Sequence, residues 1–266
     1  MKTFFLLLAT ISVFNLSAQN VGLALEGEAW ATVKEYPVKG RSSHINQKLT
    51  FGPFKTVDIN RSWTKGSLAT SGLTQGILTD EMYKKIITTD HISKKQTLYF
   101  ALADSANNRA SAYCISQFNA KDFNIGNNPN SVFNLLLDLS GKGGQSTSLF
   151  YVMLVNVGKQ ERWELLLDNK AGQQTQAYEG YLTRSTKSKD EYYIIKPVNR
   201  IKTKKGKTGT MPFGSAGYQI TTKEGKPLAA VSLMDKGVVY LSDLNPEEKL
   251  LLATALAALL LQEVIG

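Results

Sequence analysis

The chain has 266 residues, with 31 Lys and Arg against 22 Asp and Glu, 42% hydrophobic residues and a single cysteine. This composition excludes an intrinsically disordered chain, a small domain held by disulfides and a polytopic membrane protein. A chain of this length can bury a sizeable hydrophobic core, which must stabilise the fold without internal disulfides.

The N-terminus has the layout of a secretory signal peptide. Lys2 precedes an apolar run over residues 4–14, and small or polar residues lead to Ala18. The run is too short for a transmembrane helix, which needs about 20 apolar residues. We therefore predict a signal peptide over 1–18, cleaved after Ala18 or alternatively Gln19, and a single mature domain over 19–266. The protein is expected in the periplasm or outside the cell, with its formal charge lowered from +9 to +8 by the loss of Lys2.

Short β-branched and aromatic runs, separated by Gly, Asn, Asp or Pro, follow the N-terminal segment. Such runs at this spacing are typical of a barrel or a sandwich. The predicted strands are 23–33, 48–51, 56–63, 97–103, 110–118, 132–139, 149–157, 162–167, 178–183, 191–198, 218–222, 228–234 and 238–241.

The C-terminal segment predicts a helix over 246–265. Asn245 is a favourable N-cap, Pro246 suits the first helical position, and Glu247 and Glu248 suit the first turn. The seven leucines that follow, at 100° per residue, point almost all the way round the helix. Such a helix has no face suited to water, so it needs either lipid or a protein interior.

Length favours the protein interior over a membrane tail anchor. The uninterrupted apolar stretch, residues 250–261, would span about 18 Å, whereas a bilayer core is about 30 Å thick. We therefore predict a mainly β fold: a single antiparallel barrel of about 12 strands around a buried apolar C-terminal helix.

This arrangement resembles the tubby C-terminal-like superfamily, which includes the tubby domain, the plant LURP-one-related proteins and the phospholipid scramblases. The resemblance rests on residues 217–220, 228–231 and 238–241 and on the helix 246–265. It implies a barrel threaded by a helix. The tubby domain binds phosphoinositides through basic residues, but those residues have no counterparts that can be aligned here, so the resemblance concerns architecture.

Candidate catalytic residues are few. His44 and His91 lie in polar surroundings typical of surface histidines, and the sequence has no paired-histidine spacing for a metal. Cys114 lies in a strand-like run and is expected to be a buried thiol. We assign no catalytic residue, metal or cofactor from the sequence.

A basic segment is the strongest indication of a binding site. Residues 187–207 carry a net charge of +6, with two tyrosines among the lysines. Such a segment suits lipid headgroups or an anionic glycan, while export argues against nucleic acid. The alternative is a solvated loop without a ligand. The candidate binding residues are Lys196, Arg200, Lys202, Lys204, Lys205 and Lys207.

Three functional hypotheses follow from these patterns. The first is a non-enzymatic binding module for an anionic ligand of the cell envelope, such as lipid headgroups. The second is a structural or protein–protein interaction module of the envelope. The third is a hydrolase whose site the fold assembles from distant residues, with His44 or His91 as a base.

Overall fold

A computed structural model describes residues 21–41, 48–62, 96–118, 149–156, 161–169, 179–184, 191–203, 205–211 and 214–262. The predicted signal peptide and the predicted strand 132–139 lie outside these residues. Whether the mature chain is a single domain stays a prediction.

The described chain is mostly strand, with a short 3-10 helix near its start and one long helix near its end. The strands are β1 Val21–Leu23, β2 Lys34–Pro37, β3 Thr50–Phe51, β4 Phe54–Ser62, β5 Gln96–Ala103, β6 Arg109–Phe118, β7 Leu149–Asn156, β8 Arg162–Asp168, β9 Gly180–Arg184, β10 Tyr192–Val198, β11 Arg200–Thr203, β12 Thr208–Thr210, β13 Gly217–Thr221, β14 Pro227–Ser232 and β15 Val238–Leu241. The 3-10 helix is Glu28–Trp30, and the long helix, α1, is Pro246–Leu261.

Twelve strands form one nearly closed antiparallel barrel, in the order β2-β15-β14-β13-β10-β9-β8-β7-β6-β5-β4-β3. The two ends of this order meet just beyond β2, where Lys39 and Thr50 exchange backbone hydrogen bonds of 2.9 and 3.0 Å. Closure pairs the edges that an open sheet would leave exposed. The predicted fold class is therefore confirmed.

The interior of the barrel is filled by α1. All twelve residues of Leu250–Leu261 are buried, and the helix contacts β5, β6, β7, β14 and β15. Apolar side chains of the strands complete the same core, among them Phe100 and Phe150. The uniformly apolar surface of the helix is thus explained by strands around it.

The ends of α1 are satisfied by specific hydrogen bonds. At its start, the Asn245 side chain accepts a 2.9 Å bond from the Glu248 backbone N–H, as expected for an N-cap. The helix ends at Leu261 because Gln262 is extended (φ −63°, ψ 122°), so the predicted end at residue 265 was wrong. Inside the barrel, the Thr254 hydroxyl donates to the Leu250 carbonyl at 2.7 Å, which satisfies a buried polar group.

A second, smaller sheet lies outside the barrel. It has the order β1-β11-β12, and β1 shares only Leu23 with the strand predicted over 23–33. The prediction of a strand over 23–33 was wrong beyond Leu23, because Gly27 adopts φ +103° and a 3-10 helix follows. A separate hydrophobic cluster, which includes Leu23, Ile201, Ala230 and Tyr240, joins this sheet to β14 and β15.

Candidate ligand-binding surface

The small sheet is anchored to the barrel wall through one of its faces. Leu23 of β1 and Ile201 of β11 are register partners, and both pack in the cluster that contains Tyr240. The Tyr240 hydroxyl also accepts a 3.0 Å hydrogen bond from the Leu23 backbone N–H. Gly22 permits this approach, because a Cβ at that position would lie 2.6 Å from the Tyr240 hydroxyl. The other face of the sheet is therefore turned to solvent.

Positive side chains occupy that outer face. Side chains alternate between the two faces of a strand, so Arg200 and Lys202 lie opposite to Ile201. Their partners in β12 are Thr210 and Thr208, which are both exposed. The surface that results carries cationic groups next to hydroxyl groups, and both can donate hydrogen bonds to an anion.

Two further lysines lie at the tip of the β11–β12 hairpin. Lys205 and Lys207 are exposed and flank Gly206, whose φ of +78° suits glycine. The Thr203 N–H donates to the Lys207 carbonyl at 2.9 Å, and the Gly206 N–H donates to the Thr203 carbonyl at 2.9 Å. These bonds connect Thr203 to the Gly206–Lys207 segment and so close the hairpin.

The structure brings some of the predicted binding residues together and separates another. Lys202, Lys205 and Lys207 lie on one hairpin, which we call the basic hairpin (residues 200–210), and Arg200 is at its base. Lys196 instead lies on β10 in the barrel wall, where its Nζ is 2.9 Å from a Glu179 carboxylate oxygen. Lys204, His44 and His91 lie outside the described residues.

Arg200 is balanced by a local carboxylate. Its guanidinium forms an ion pair with Glu26, and both side chains are largely exposed. Exposed pairs of this kind are weak, because water screens them and long side chains lose conformational freedom. Even so, the negative charge of Glu26 lies beside Arg200, so Arg200 contributes less net charge to the surface than Lys202, Lys205 and Lys207.

A second candidate site, built around two stacked aromatic rings, lies at one end of the barrel. The sequence patterns did not reveal it. Trp163 of β8 and Tyr193 of β10 stack with ring centroids 5.5 Å apart and planes at 4°. The Tyr193 hydroxyl donates to a Glu248 carboxylate oxygen at 2.9 Å, which ties this pair to the first turn of α1. Burial, together with that bond to Glu248, raises the pKa of Tyr193 well above its usual value.

These rings line a cleft of about 390 Å³, which we call the aromatic cleft. Its lining residues are Trp163, Arg184, Glu191, Tyr192, Tyr193, Thr222, Lys223 and Glu224. They come from β8, from β9, from the start of β10 and from the turn between β13 and β14. The adjacent tyrosines at 192 and 193 were the one signal in the sequence, because Trp163 and Arg184 join them only through the strand order.

The described residues contain no group of three or more His, Cys, Asp or Glu side chains placed to hold a metal ion. Cys114, expected to be buried, is 2% exposed within the core. Burial raises the pKa of its thiol far above the usual value, and the positive charge of Arg61 offsets this only in part. Such a thiol is not activated as a nucleophile.

Over the parts of the chain that the structure covers, no helix is both long and apolar enough to cross a bilayer. The long helix α1 has 16 residues, compared with the roughly 20 that a span requires.

By its architecture, the protein is a nearly closed 12-stranded barrel that is filled by an apolar helix and carries the basic hairpin on its outside. Comparison with protein-family models, with curated proteins and with solved structures gave no match.

Proposed function

We propose that this protein is an exported, non-enzymatic binding module that recognises an anionic ligand of the cell envelope, such as lipid headgroups, through the basic hairpin. The observation that carries the proposal is the exposure of Lys202, Lys205 and Lys207 on one hairpin whose opposite face is fixed to the barrel. The relation to the tubby-like superfamily is part of the same proposal, and it rests on the shared barrel-and-helix architecture.

The anchoring of the small sheet supports binding rather than simple solvation. A flexible basic loop loses conformational freedom when it binds, and that loss weakens affinity. The β1–β11–β12 ladder and the Leu23–Tyr240 hydrogen bond limit this loss before any ligand arrives. The lysine side chains then remain the main groups to be ordered.

The expected contribution of the hairpin can be estimated from membrane electrostatics. Each lysine near an anionic bilayer contributes about 1 kcal/mol, so three lysines contribute about 3 kcal/mol, or on the order of 100-fold in affinity. The attraction is screened by salt, because the Debye length falls from about 10 Å at 0.1 M to about 3 Å at 1 M.

Co-sedimentation of the purified protein with vesicles tests the proposal. One set of vesicles is pure phosphatidylcholine, and the other contains phosphatidylserine or phosphatidylglycerol as well. We expect binding to the anionic vesicles alone, weakened at high salt. Inorganic phosphate and a soluble polyanionic glycan, used as competitors, identify the part of the ligand that is recognised.

The decisive variant is the triple substitution K202Q/K205Q/K207Q. Its matched control is K34Q/K55Q/K236Q, which removes the same charge from exposed lysines elsewhere on the chain. The proposal predicts a large loss of binding for the first variant and a small loss for the second. Equal losses would show that net charge, rather than the hairpin, governs binding, and absence of binding by the wild type would refute the proposal.

A further inference from the structure

The aromatic cleft is separate from the basic hairpin and has a different chemical character. Trp163 and Tyr193 lie on the interior-facing sides of their strands, since Leu165 and Ile195, two residues further along, belong to the barrel core. Tyr192 lies on the opposite side of β10, so the cleft lies at the rim of the barrel, next to the first turn of α1. Its volume of about 390 Å³ falls in the range of about 300–1,000 Å³ that is usual for small-molecule sites.

The charges that line the cleft balance one another. Arg184 and Lys223 are positive, and Glu191 and Glu224 are negative. The hydrogen bond from the Thr222 hydroxyl, together with a backbone bond, lowers the pKa of Glu224, so this carboxylate is ionised at neutral pH. An anionic ligand would meet the two carboxylates, and a cationic ligand would meet Arg184 and Lys223. A neutral ligand avoids both kinds of repulsion.

The polar groups provide both donors and acceptors. Arg184 forms ion pairs with Glu161 and Glu191, the second at 3.2 Å, and its guanidinium can only donate hydrogen bonds. The Glu191 carboxylate, whose side chain is 51% exposed, can only accept them. A hydroxyl group does both, so a ligand with several hydroxyl groups can bond to donor and acceptor at once. Bonds to ionised groups are the stronger kind.

The aromatic rings provide a surface that attracts the C–H bonds of a ligand. The face of an aromatic ring carries partial negative charge, which attracts partially positive C–H or cationic groups. The Lys223 amine already lies 4.2 Å from the centre of the Tyr192 ring, in this kind of contact. A sugar ring presents C–H bonds on its faces and hydroxyl groups around its rim, and it therefore matches both the rings and the polar groups of the cleft.

The walls are held in place before any ligand binds. Tyr193 is fixed by its stacking on Trp163 and by its bond to Glu248. The turn that carries Lys223 is closed by the Thr222 N–H, which donates to the Lys226 carbonyl at 2.9 Å. Preorganised walls reduce the entropic cost of binding, which is otherwise high for a small hydroxylated ligand.

We propose that the aromatic cleft binds a residue of a neutral carbohydrate, with the sugar ring against the stacked pair of Trp163 and Tyr193 and its hydroxyl groups bonded to Arg184 and Glu191. This site is independent of the basic hairpin, so the two proposals can succeed or fail separately. The protein would then hold an anionic ligand and a neutral sugar at different places on one rigid barrel.

Isothermal titration calorimetry of the purified protein tests this site, with cellotriose, maltotriose and N,N′,N″-triacetylchitotriose as neutral probes. We expect saturable binding of at least one trisaccharide, unaffected by raising the salt concentration. Trp163→Phe and Glu191→Gln are each expected to weaken binding by about tenfold or more, the loss typical of a removed stacking surface or charge-assisted hydrogen bond. Glu191 is exposed, so its variant tests the site even if Trp163→Phe does not fold.

The matched controls change the same residue types elsewhere. Trp30→Phe alters a half-buried tryptophan in the 3-10 helix, and Glu35→Gln alters an exposed glutamate on β2. Both are expected to bind the sugar as the wild type does. The proposal is overturned if none of the three trisaccharides binds, or if the cleft variants bind as well as these controls. Tighter, salt-sensitive binding of trigalacturonate, an anionic sugar, would overturn the preference for a neutral ligand.

Discussion

Replacing Arg61 with Met is expected to loosen the end of the central helix. Arg61 is only 9% exposed, and its guanidinium donates a 3.0 Å hydrogen bond to the carbonyl of Leu261, the last residue of α1. Such a charge-assisted bond contributes about 1.5–3 kcal/mol, and a cation at a helix C-terminus adds about 0.3–1 kcal/mol. Methionine fills similar space without a donor. Since the lower desolvation cost of Met offsets part of the loss, we expect a net destabilisation of about 2 kcal/mol.

Urea unfolding followed by far-ultraviolet circular dichroism measures this effect. With a denaturant slope of about 2 kcal/mol per M, the midpoint should fall by about 1 M. Arg109→Met, at an exposed arginine on β6, is the control, and its midpoint should change by less than about 0.25 M. A midpoint for Arg61→Met equal to or above that of the wild type would refute the reasoning, because the bond to α1 would then not outweigh the cost of burying the charge.

Three further predictions test the core and its ionisable groups. Leu256→Asp places a carboxylate at a position with 0% exposure, so it should lower the free energy of unfolding by on the order of 5 kcal/mol. A urea titration should then detect little folded protein. A variant that stays folded and only leaves the membrane fraction would support the tail-anchor alternative instead. Burial raises the pKa of both Tyr240 and Tyr181 to about 12, so their neutral forms favour the fold. Thermal stability should therefore be unaffected by these groups below pH of about 10, the usual value for tyrosine, and fall as the pH rises towards 12; stability that rises over this interval would contradict the assignment. Cys114 should react with a thiol reagent only after unfolding, and rapid labelling of the native protein would place it outside the core.

The helix and its environment could be predicted from the sequence because their signals are local. An N-cap, a proline at the first turn and leucines on every side of α1 are all read from adjacent residues. A helix that is apolar all round needs an apolar environment, and the apolar stretch 250–261 is too short to cross a bilayer. The barrel follows from that constraint together with the number of short strands.

The basic hairpin was only partly predicted, because its strands lack the usual signal. Strands β11 and β12 have the sequences RIKT and TGT, and of these residues only Ile201 packs in a hydrophobic cluster. Two such strands do not produce an alternating apolar pattern, so the sequence predicted no strand between 191–198 and 218–222. Pairing with β1, which is distant in the chain, is what makes this segment a sheet.

The buried arginine and the aromatic cleft depend on contacts that no local pattern reveals. Arg61 lies within the strand β4, and its guanidinium donates a hydrogen bond to the carbonyl of Leu261, which is 200 residues away in the sequence. Charged residues in strands are normally exposed, so the usual expectation would place this side chain in water. Trp163, Arg184 and Tyr193 become neighbours only because β8, β9 and β10 are adjacent in the barrel.

Amide hydrogen exchange of the protein, measured with and without anionic vesicles, tests the central claim that α1 stays inside the barrel while the basic hairpin contacts the ligand. We expect slow exchange over Leu250–Leu261 under both conditions, because these residues are buried and hydrogen-bonded. Exchange over residues 200–210 should slow when the vesicles are added. Faster or altered exchange in α1 on addition of vesicles, with no change in the hairpin, would contradict the account and indicate that the helix inserts into the membrane.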